Sequence, residues 1–303
     1  MAANDYPSLL RGTKSDDYRF QSYSFAEQIE RAQDFLHRAD AVLIGAGAGF
    51  SASAGLSWGD TPRWRTHFAD FIKKYGKENM PDMYTAGFYD FDSPEAFWGF
   101  WARDIYVNEI LPEALPAYGT LLRLMVDKPC FVLTTNVDHQ FYKAGFGEKN
   151  IFAMQGDSTL LCCARGCTEE MWEAGPIVSE LVGKTQDCLV PTEDLPRCPH
   201  CGGPLIMQWR TPRTRLWWRE GKARYDDFLA RCARKNLLLL ELGVGISSPM
   251  NIRFPFENLL REHPGWHFIR VSDVDAQIPG AADARAAGIC ADIAQTLEAM
   301  ALA

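Results

Sequence analysis

Two closely spaced pairs of cysteines have the spacing of a metal site. Cys163 and Cys167 are separated by three residues, Cys198 and Cys201 by two, and thirty residues lie between the pairs. Two short pairs separated by a loop are typical of tetrahedral zinc bound by thiolates. Because Cys162 also lies at a permitted distance from Cys167, the spacing leaves open which of the two neighbours is the ligand. Zinc with four thiolate ligands has no position left for a substrate, so we expect it to be structural.

Two glycine-rich turns could approach a phosphate group closely. Gly45-Ala46-Gly47-Ala48-Gly49 follows the apolar run 41–44, and Gly243-Val244-Gly245 follows the apolar run 237–242. Between a strand and a helix, such a turn directs backbone N–H groups at the pyrophosphate of a dinucleotide. The spacing G-x-G-x-G differs from the usual G-x-G-x-x-G, and a single turn of this kind is often only structural. Two such turns favour a dinucleotide site over coincidence.

Five apolar runs predict the strands that must position these residues. They cover 41–44, 130–133, 151–154, 237–242 and 267–271, and long stretches of helical character separate them. Runs this short and this uniformly apolar fit the buried strands of a parallel sheet. We therefore predict an α/β fold with a Rossmann-like, doubly wound parallel sheet, in which ligands bind beyond the carboxyl ends of the strands.

Two insertions interrupt the predicted sheet. Residues 58–115 are rich in aromatic side chains and predict a helical insertion, and residues 157–210 contain the cysteine pairs and predict a small zinc-binding module. The Rossmann-like, dinucleotide-binding domain then consists of residues 25–57, 116–156 and 211–303.

Composition narrows the class of protein. The chain has 303 residues, of which 47% are hydrophobic, and this is enough for a large core. Its net charge of −8 argues against a nucleic-acid-binding surface, which needs a basic face. No apolar run approaches the ~20 residues of a membrane span, and the first residues lack the pattern of a signal peptide. Nine cysteines, an odd number, suit a metal in a reducing cytosol better than disulfides, so we expect a cytoplasmic protein.

The order of these motifs resembles that of the sirtuin family, NAD-dependent enzymes with a large Rossmann domain and a small zinc module. The resemblance covers most of residues 25–300, and its alignment to Gln155 selects Cys163 as the zinc ligand. Its matching pieces are Gly45 to Ser51, Thr135-Asn136-Val137-Asp138, Gln155-Gly156, the two cysteine pairs and Gly243-Val244-Gly245. It implies NAD as the co-substrate, bound by Gly45, Ala46, Gly47, Ser51, Arg63, Asn136, Asp138, Gln155, Gly243, Gly245 and Ser272.

Two departures from the deacylase pattern resemble the class M sirtuins. The deacylase motif Gly-Ile-Pro-Asp-Phe-Arg is replaced by the divergent stretch 55–64, and the deacylase His-Gly is replaced by Gln155-Gly156. Class M sirtuins, often encoded beside a macrodomain protein, ADP-ribosylate a lipoyl-carrier protein. The resemblance therefore implies a protein ADP-ribosyltransferase with a lipoylated carrier protein as acceptor, and a functional link to a macrodomain ADP-ribosyl hydrolase.

The chemistry of Gln155 favours transfer. By the resemblance, Asp138 binds the nicotinamide carboxamide, Asn136 positions the ribose and the attacking group, and Gln155 holds a ribose hydroxyl. Deacylation needs a histidine that deprotonates a ribose hydroxyl, and glutamine cannot take a proton. A carboxylate acceptor, with a reference pKa of about 4, is ionised at neutral pH and needs no base. An acidic acceptor is therefore favoured, although charge alone does not exclude arginine.

Three further residues have alternative roles. Arg63, in the divergent stretch, could contact a phosphate, organise the loop, or remain exposed without a specific contact. Ser272 stands where the family usually places an asparagine on the adenine-side ribose. His139 could replace the missing base, but successive residues point in different directions, so we expect it to pack or to cap rather than to act beside Asp138.

A basic and aromatic stretch, 209–224, concentrates six positive charges in this acidic protein. It fits either a solvated helix end with tryptophans packed in the core, or a docking surface for an acidic carrier protein, because complementary charge speeds encounter. Two other functions remain alternatives to transfer: a deacylase or NAD hydrolase of altered specificity, and a catalytically silent sensor of NAD or ADP-ribose.

Overall fold

The computed structural model describes residues 18–212, 215–245 and 249–302. Its strands are β1 (Tyr18–Arg19), β2 (Ala41–Ala46), β3 (Cys130–Thr134), β4 (Ile151–Ala153), β5 (Leu160–Cys163), β6 (Met171–Glu173), β7 (Leu205–Met207), β8 (Leu237–Leu242), β9 (His267–Val271), β10 (Ile278–Pro279) and β11 (Ala286–Ile289). Six of them form a parallel sheet in the order β11-β9-β8-β2-β3-β4. The predicted α/β fold with a parallel sheet is confirmed.

All five predicted strands are present, and β8 and β9 have the predicted bounds. Strand β2 continues to Ala46, so Gly45 and Ala46 belong to the strand and not to the turn in which the sequence placed them. Strand β4 ends at Ala153, which leaves Met154 in the following turn. Every residue of β2 and β8 is buried, because these central strands have a strand on each side and a core on each face.

The helices are α1 (Phe25–Arg38), α2 (Ala48–Ser53), α3 (Pro62–His67), α4 (Ala69–Tyr75), α5 (Met83–Ala86), α6 (Pro94–Ile105), α7 (Pro116–Leu124), α8 (Gln140–Lys143), α9 (Ala174–Lys184), α10 (Leu216–Cys232), α11 (Arg253–Glu262) and α12 (Ile293–Ala301). Short 3₁₀ segments lie at Glu148–Asn150, Thr192–Asp194, Gln208–Arg210 and Gly280–Arg285, and one π-helical turn spans Tyr106–Ile110. Within the described ranges, no helix is both long enough and apolar enough to cross a membrane.

The two faces of the sheet carry separate hydrophobic cores, as a doubly wound fold requires. Alternate residues of a strand point to opposite faces, so Ile44 and Leu240 lie in one core and Leu43 and Leu239 in the other. The first core is closed by residues of α1, α7 and α12, and the second by residues of α10 and α11. Both faces of the sheet are therefore covered by helices.

The two insertions share a third hydrophobic core. Trp64, Phe68 and Phe100 of the helical insertion pack in one cluster with Leu161 and Val178 of the zinc-binding module. Within the module, β5 pairs antiparallel with β6 and β7 in a three-stranded sheet. The predicted domain boundaries remain a prediction, but the insertions pack on each other as well as beside the sheet.

Candidate active site

A cavity of about 700 Å³ lies beyond the carboxyl ends of β2, β3 and β4. The residues predicted to act at the reacting centre, Asn136, Asp138 and Gln155, all line it. They come from the loop after β3 and the turn after β4, beside the start of α2. The opposite wall is largely aromatic and comes mainly from the helical insertion and the segment before α10; it contains Trp58, Tyr84, Phe88, Trp101, Asp104, Glu109, Trp209 and Trp217.

Buried hydrogen bonds hold Asn136 and Asp138 in place. The side-chain nitrogen of Asn136 donates to the carbonyl oxygen of Gly47 (3.1 Å) and to the hydroxyl of Ser51 (3.0 Å). The Ser51 hydroxyl donates to the Asp138 carboxylate and lies 2.7 Å from the Tyr118 hydroxyl. Burial raises the pKa of Asp138, while the hydrogen bond from Ser51 opposes the rise. Ser51 therefore positions the two polar residues of the loop after β3 and is fully buried.

Gln155 lies in a tight turn that sets it at the cavity wall. Gly156 has a φ of +93°, and a Cβ atom there would lie 2.8 Å from the backbone of Trp209, so the position requires glycine. The Gln155 side chain forms no hydrogen bond with any other described residue and is half-buried at the cavity. Its amide is thus available to a ligand.

His139 lies in a neighbouring cleft of about 660 Å³ and does not line the cavity of Asn136. Its Nδ1 is 2.5 Å from the Asp157 carboxylate and 3.1 Å from the Thr159 hydroxyl, and its ring stacks on Tyr142. It also stands at the position before α8 with a φ of +61°. His139 therefore packs on Tyr142 and occupies the position before the first residue of α8, in agreement with the expectation that it packs or caps. None of the described residues that line the Asn136 cavity is a histidine.

The glycines of the two turns meet each other. A Cβ atom at Gly47 would lie 2.7 Å from the carbonyl oxygen of Gly243, and one at Gly49 would lie 2.8 Å from it. The N–H groups of Gly47 and Gly49 donate to Leu242 and Gly243, both over 3.0 Å. These donors are therefore used within the protein and are not directed at a pyrophosphate as the sequence suggested. Gly243 itself has a φ of +59°, and a Cβ there would lie 2.4 Å from the nitrogen of Phe50.

Gly45 also has a packing reason for being glycine. A Cβ atom there would lie 2.5 Å from the side chain of Ile252 and 2.6 Å from that of Phe256, neither of which lines the cavity. Ala46 is fully buried at the end of β2. Neither of these two predicted cofactor-binding residues lines the cavity, whereas Ala48 and Gly49 do.

The remaining predicted cofactor residues lie apart from the cavity wall. Arg63 is half-buried and donates to the carbonyl oxygen of Ser57 over 3.0 Å, so it organises the divergent loop. Ser272 is buried, and its hydroxyl accepts from the N–H groups of Val274 (3.3 Å) and Asp275 (3.1 Å). Gly245 is exposed, and the turn continues into residues 246–248, which lie outside the described part of the chain.

The four predicted zinc ligands converge. The sulfur atoms of Cys163, Cys167, Cys198 and Cys201 all lie within 4.8 Å of one another, with Cys163 and Cys201 3.6 Å apart and Cys167 and Cys198 3.5 Å apart. Tetrahedral zinc with bonds of about 2.3 Å to sulfur separates its ligand atoms by about 3.8 Å, so the cluster fits this ion. Cys162 is not part of the cluster, and the ambiguity left by the spacing is settled in favour of Cys163.

Most charges of the basic stretch are engaged within the protein. The Arg210 guanidinium stacks on three aromatic rings, those of Phe97, Trp101 and Trp209, at 4.8–5.0 Å. The other engaged cations are Arg215, paired with Glu169, Lys222, paired with Asp226, and Arg224, which donates to the carbonyl oxygen of Ile151. Arg213 lies outside the described residues. The structure thus agrees with a packed helix end more than with a free basic surface.

Two cavity residues were not found from the sequence. Asp104 and Glu109 are buried, at 4% and 1% exposure, and both line the cavity. Burial raises the pKa of Asp104 to about 7 and raises that of Glu109 well above its usual range. On a helical stretch, acidic residues ordinarily predict an exposed face, so no signal in the sequence distinguished these two.

No protein-family model matches the chain. It is 29% identical over 271 residues to a protein ADP-ribosyltransferase of Staphylococcus aureus, a match covering 88% of this chain and 85% of the relative. It is 28% identical over 251 residues to a probable bifunctional ADP-ribose hydrolase/ADP-ribosyltransferase of Fusarium oxysporum f. sp. cubense. That match covers 78% of this chain and 41% of the relative, so the chain spans less than half of the Fusarium protein.

Solved structures of sirtuins share the fold. A Sir2 homologue in complex with NAD has a TM-score of 0.59 at 16% identity, covering 95% of this chain and 96% of its own. Sir2Tm bound to a propionylated peptide has a TM-score of 0.55 at 17% identity, covering 89% of this chain and 95% of its own. The chain therefore has the Sir2-like Rossmann fold.

Proposed function

We propose that this chain is an NAD-dependent protein ADP-ribosyltransferase, which transfers ADP-ribose from NAD to an acceptor side chain and releases nicotinamide. The observation that carries the proposal is the cavity, in which Asn136, Asp138 and Gln155 stand together and no described wall residue is a histidine. The similarity to relatives named as ADP-ribosyltransferases supports the same activity.

The geometry suits substitution at the anomeric carbon of the nicotinamide ribose. The bond from that carbon to the ring nitrogen breaks, its electron pair leaves with nicotinamide, and a bond to the acceptor oxygen forms. The carbon becomes positively charged as the bond breaks, so fixed polar groups in a site shielded from water lower the barrier. Ser51 fixes Asn136 and Asp138, and Trp101 and Trp209 of the aromatic wall face the same cavity.

The acceptor is proposed to be a carboxylate. Such a group is ionised at neutral pH and attacks without losing a proton, so the site needs no general base. Gln155 then only has to hold a ribose hydroxyl by a hydrogen bond, which its unpaired amide can do. A neutral acceptor would need a base, and His139, the histidine nearest in sequence to Asp138, lies in the neighbouring cleft.

The acceptor protein is proposed to be a lipoylated carrier, as in the class M sirtuins. The relative whose name joins an ADP-ribose hydrolase to an ADP-ribosyltransferase supports the proposed functional link to a macrodomain hydrolase that reverses the modification. Since most cations of residues 209–224 are engaged, we do not assign the docking of an acidic carrier to that stretch. A cytoplasmic location, where thiols stay reduced for zinc, is part of the same proposal.

The fate of the adenine-labelled half of NAD tests this proposal against its rivals. Labelled NAD is incubated with the protein, a lipoylated carrier protein and an acyl-lysine peptide in one tube. Label on the carrier supports transfer. Label in free ADP-ribose identifies a hydrolase. Label in acylated ADP-ribose, together with a deacylated peptide, identifies a deacylase. Tight NAD binding without turnover identifies a sensor, and each of these three results would overturn the proposal.

A further inference from the structure

Buried polar atoms without partners gather at the insertion side of the cavity. Five such side-chain atoms have no hydrogen-bond partner among the described residues: Nε of Arg63, Nε1 of Trp101, Oδ1 of Asn108, Oε2 of Glu109 and Nε1 of Trp209. A buried polar group left unpaired costs about 1–3 kcal/mol, so a group of them in one place indicates a ligand. Trp101, Glu109 and Trp209 line the cavity directly.

Three residues of this group line the cavity, and Glu109 is the one of them with a titratable side chain. It lies in the π-helical turn Tyr106–Ile110, which continues α6, and such turns are frequent at functional sites. Its backbone carbonyl accepts a hydrogen bond from the Lys143 ammonium, so the backbone is fixed from the loop side of the sheet. The side chain is 1% exposed and lines the same cavity as Asp138.

The surroundings of Glu109 favour its neutral form. Burial raises its pKa most, and the neighbouring carboxyl groups of Asp104, Asp138 and Asp157 raise it further, while the Lys143 ammonium lowers it. The Arg63 guanidinium lies near both Glu109 and Asp104. A protonated carboxyl group has an O–H donor as well as an acceptor oxygen.

Asp138 alone cannot satisfy a primary carboxamide. Its Oδ1 accepts from the N–H of Gln140 over 3.1 Å, and its Oδ2 accepts from the hydroxyl of Ser51. A carboxylate held in this way offers only acceptors, which suit the NH₂ of a carboxamide but leave its C=O unpaired. The C=O therefore needs a donor from the same cavity wall, where the unpaired groups are the indole N–H groups of Trp101 and Trp209 and the carboxyl group of Glu109, which is a donor when it is neutral.

We propose that Glu109 binds the carboxamide of the nicotinamide ring and thereby determines the specificity for the leaving group. Its O–H donates to the carboxamide oxygen while the Asp138 carboxylate accepts from the nitrogen. The same arrangement rejects nicotinic acid, whose carboxylate would face Asp104, Glu109 and Asp138. This inference rests on the proposed function only in taking NAD as the ligand.

Binding of NAD and of ADP-ribose, measured by calorimetry without an acceptor, tests the inference. ADP-ribose lacks the nicotinamide ring, so Glu109→Ala should weaken NAD about tenfold, the worth of one buried hydrogen bond, and leave ADP-ribose unchanged. Glu109→Gln retains a neutral donor and acceptor, so its NAD affinity should stay within about threefold of wild type. Glu113→Gln, at an exposed residue, is the matched control and should bind both ligands normally.

The pH profile separates hydrogen bonding from a structural role. Wild-type affinity for NAD should fall as pH rises through the raised pKa of Glu109, because the O–H donor is lost, and the fall should be smaller in Glu109→Gln. Equal weakening of NAD and ADP-ribose by Glu109→Ala, an unchanged NAD affinity in that variant, or loss of NAD binding in Glu109→Gln would each overturn the inference. If NAD binds but no acceptor is modified, the transferase proposal fails while this test still stands.

Discussion

The hydroxyl of Ser51 lies 3.0 Å from the side-chain nitrogen of Asn136, and it also donates to the Asp138 carboxylate. One buried hydroxyl at α2, after β2, thus fixes both polar residues of the loop after β3. Because those strands are neighbours in the sheet, the position of the reacting groups depends on the central packing of the fold.

Replacing Ser51 by alanine should weaken both the site and the fold. The change removes a donor from the buried Asp138 carboxylate and a partner from Asn136, so we expect a loss of about 1–3 kcal/mol in the free energy of unfolding. Misplacement of Asn136 should slow transfer about tenfold or more. Urea unfolding and transfer rates measure these effects. Ser179→Ala, at an exposed residue of α9, should change neither, and equal behaviour of the two variants would contradict the assignment.

Replacing Gly243 by alanine should separate the two glycine turns. The residue has a φ of +59°, and its Cβ would lie 2.4 Å from the backbone nitrogen of Phe50, so both strain and a clash arise. We expect a melting temperature lower by several degrees, equivalent to about 2 kcal/mol or more. Gly183→Ala in α9, where a Cβ meets nothing within 4 Å, should be neutral or slightly stabilising. A Gly243 variant as stable as wild type would show that the turns are not in contact.

Replacing Cys167 by serine should remove the zinc and unfold the small module first. The four sulfur atoms form one cluster, and a structural zinc site contributes directly to folding. Metal analysis should give about one zinc per wild-type chain and none per variant, and protease should cleave the variant within 157–210. Cys290→Ser, at an exposed thiol outside the cluster, should retain the metal. Full zinc content in Cys167→Ser would refute the four-cysteine site.

Replacing Asp104 by asparagine should reduce the loss of the free energy of unfolding as pH rises through neutrality. Burial raises the pKa of Asp104 to about 7 in the folded protein, against about 4 in the unfolded chain. The folded state therefore holds the proton more tightly, so this group favours folding at low pH, and the contribution is lost as pH rises from about 4 through about 7. Between about pH 5 and pH 8 the variant should lose less stability than wild type. Asp127→Asn, at an exposed residue, should keep the wild-type slope, and a wild-type slope in Asp104→Asn would contradict the assignment.

The sequence predicts the centre of the fold better than its periphery. Strands β8 and β9 are found with their predicted bounds because they are mostly apolar runs, interrupted only by Glu241, His267 and Arg270, and such runs are typical of a parallel sheet. Strand β11, Ala286–Ile289, was missed since Ala-Ala-Gly-Ile has little strand propensity and pairs only through its place beside β9. The short antiparallel strands of the zinc module, β5, β6 and β7, were missed for a similar reason: each is only three or four residues long, and the pairing among them, beside the cysteine cluster, defines them as strands.

In the candidate site, too, the sequence predicts the residues that follow the strands and misses those that depend on tertiary packing. Asn136, Asp138 and Gln155 follow predicted strands, and the structure brings them to one cavity. Glu109 was missed because its burial depends on packing between the insertion and the sheet, which no local pattern reveals. The sequence of 209–224 fits either a packed helix end or a basic docking surface, and only tertiary packing, which places the Arg210 guanidinium among three aromatic rings, favours the first.

The intact mass of a lipoylated carrier protein, after incubation with this protein and NAD, tests the transferase assignment most directly. We expect a carrier heavier by one ADP-ribose with wild type and with the exposed control Gln186→Ala, and a rate about a hundredfold lower with Gln155→Ala. An acyl-lysine peptide in the same tube should remain acylated. A deacylated peptide beside an unmodified carrier would contradict the transferase activity, and a carrier modified equally by Gln155→Ala would contradict the role of Gln155.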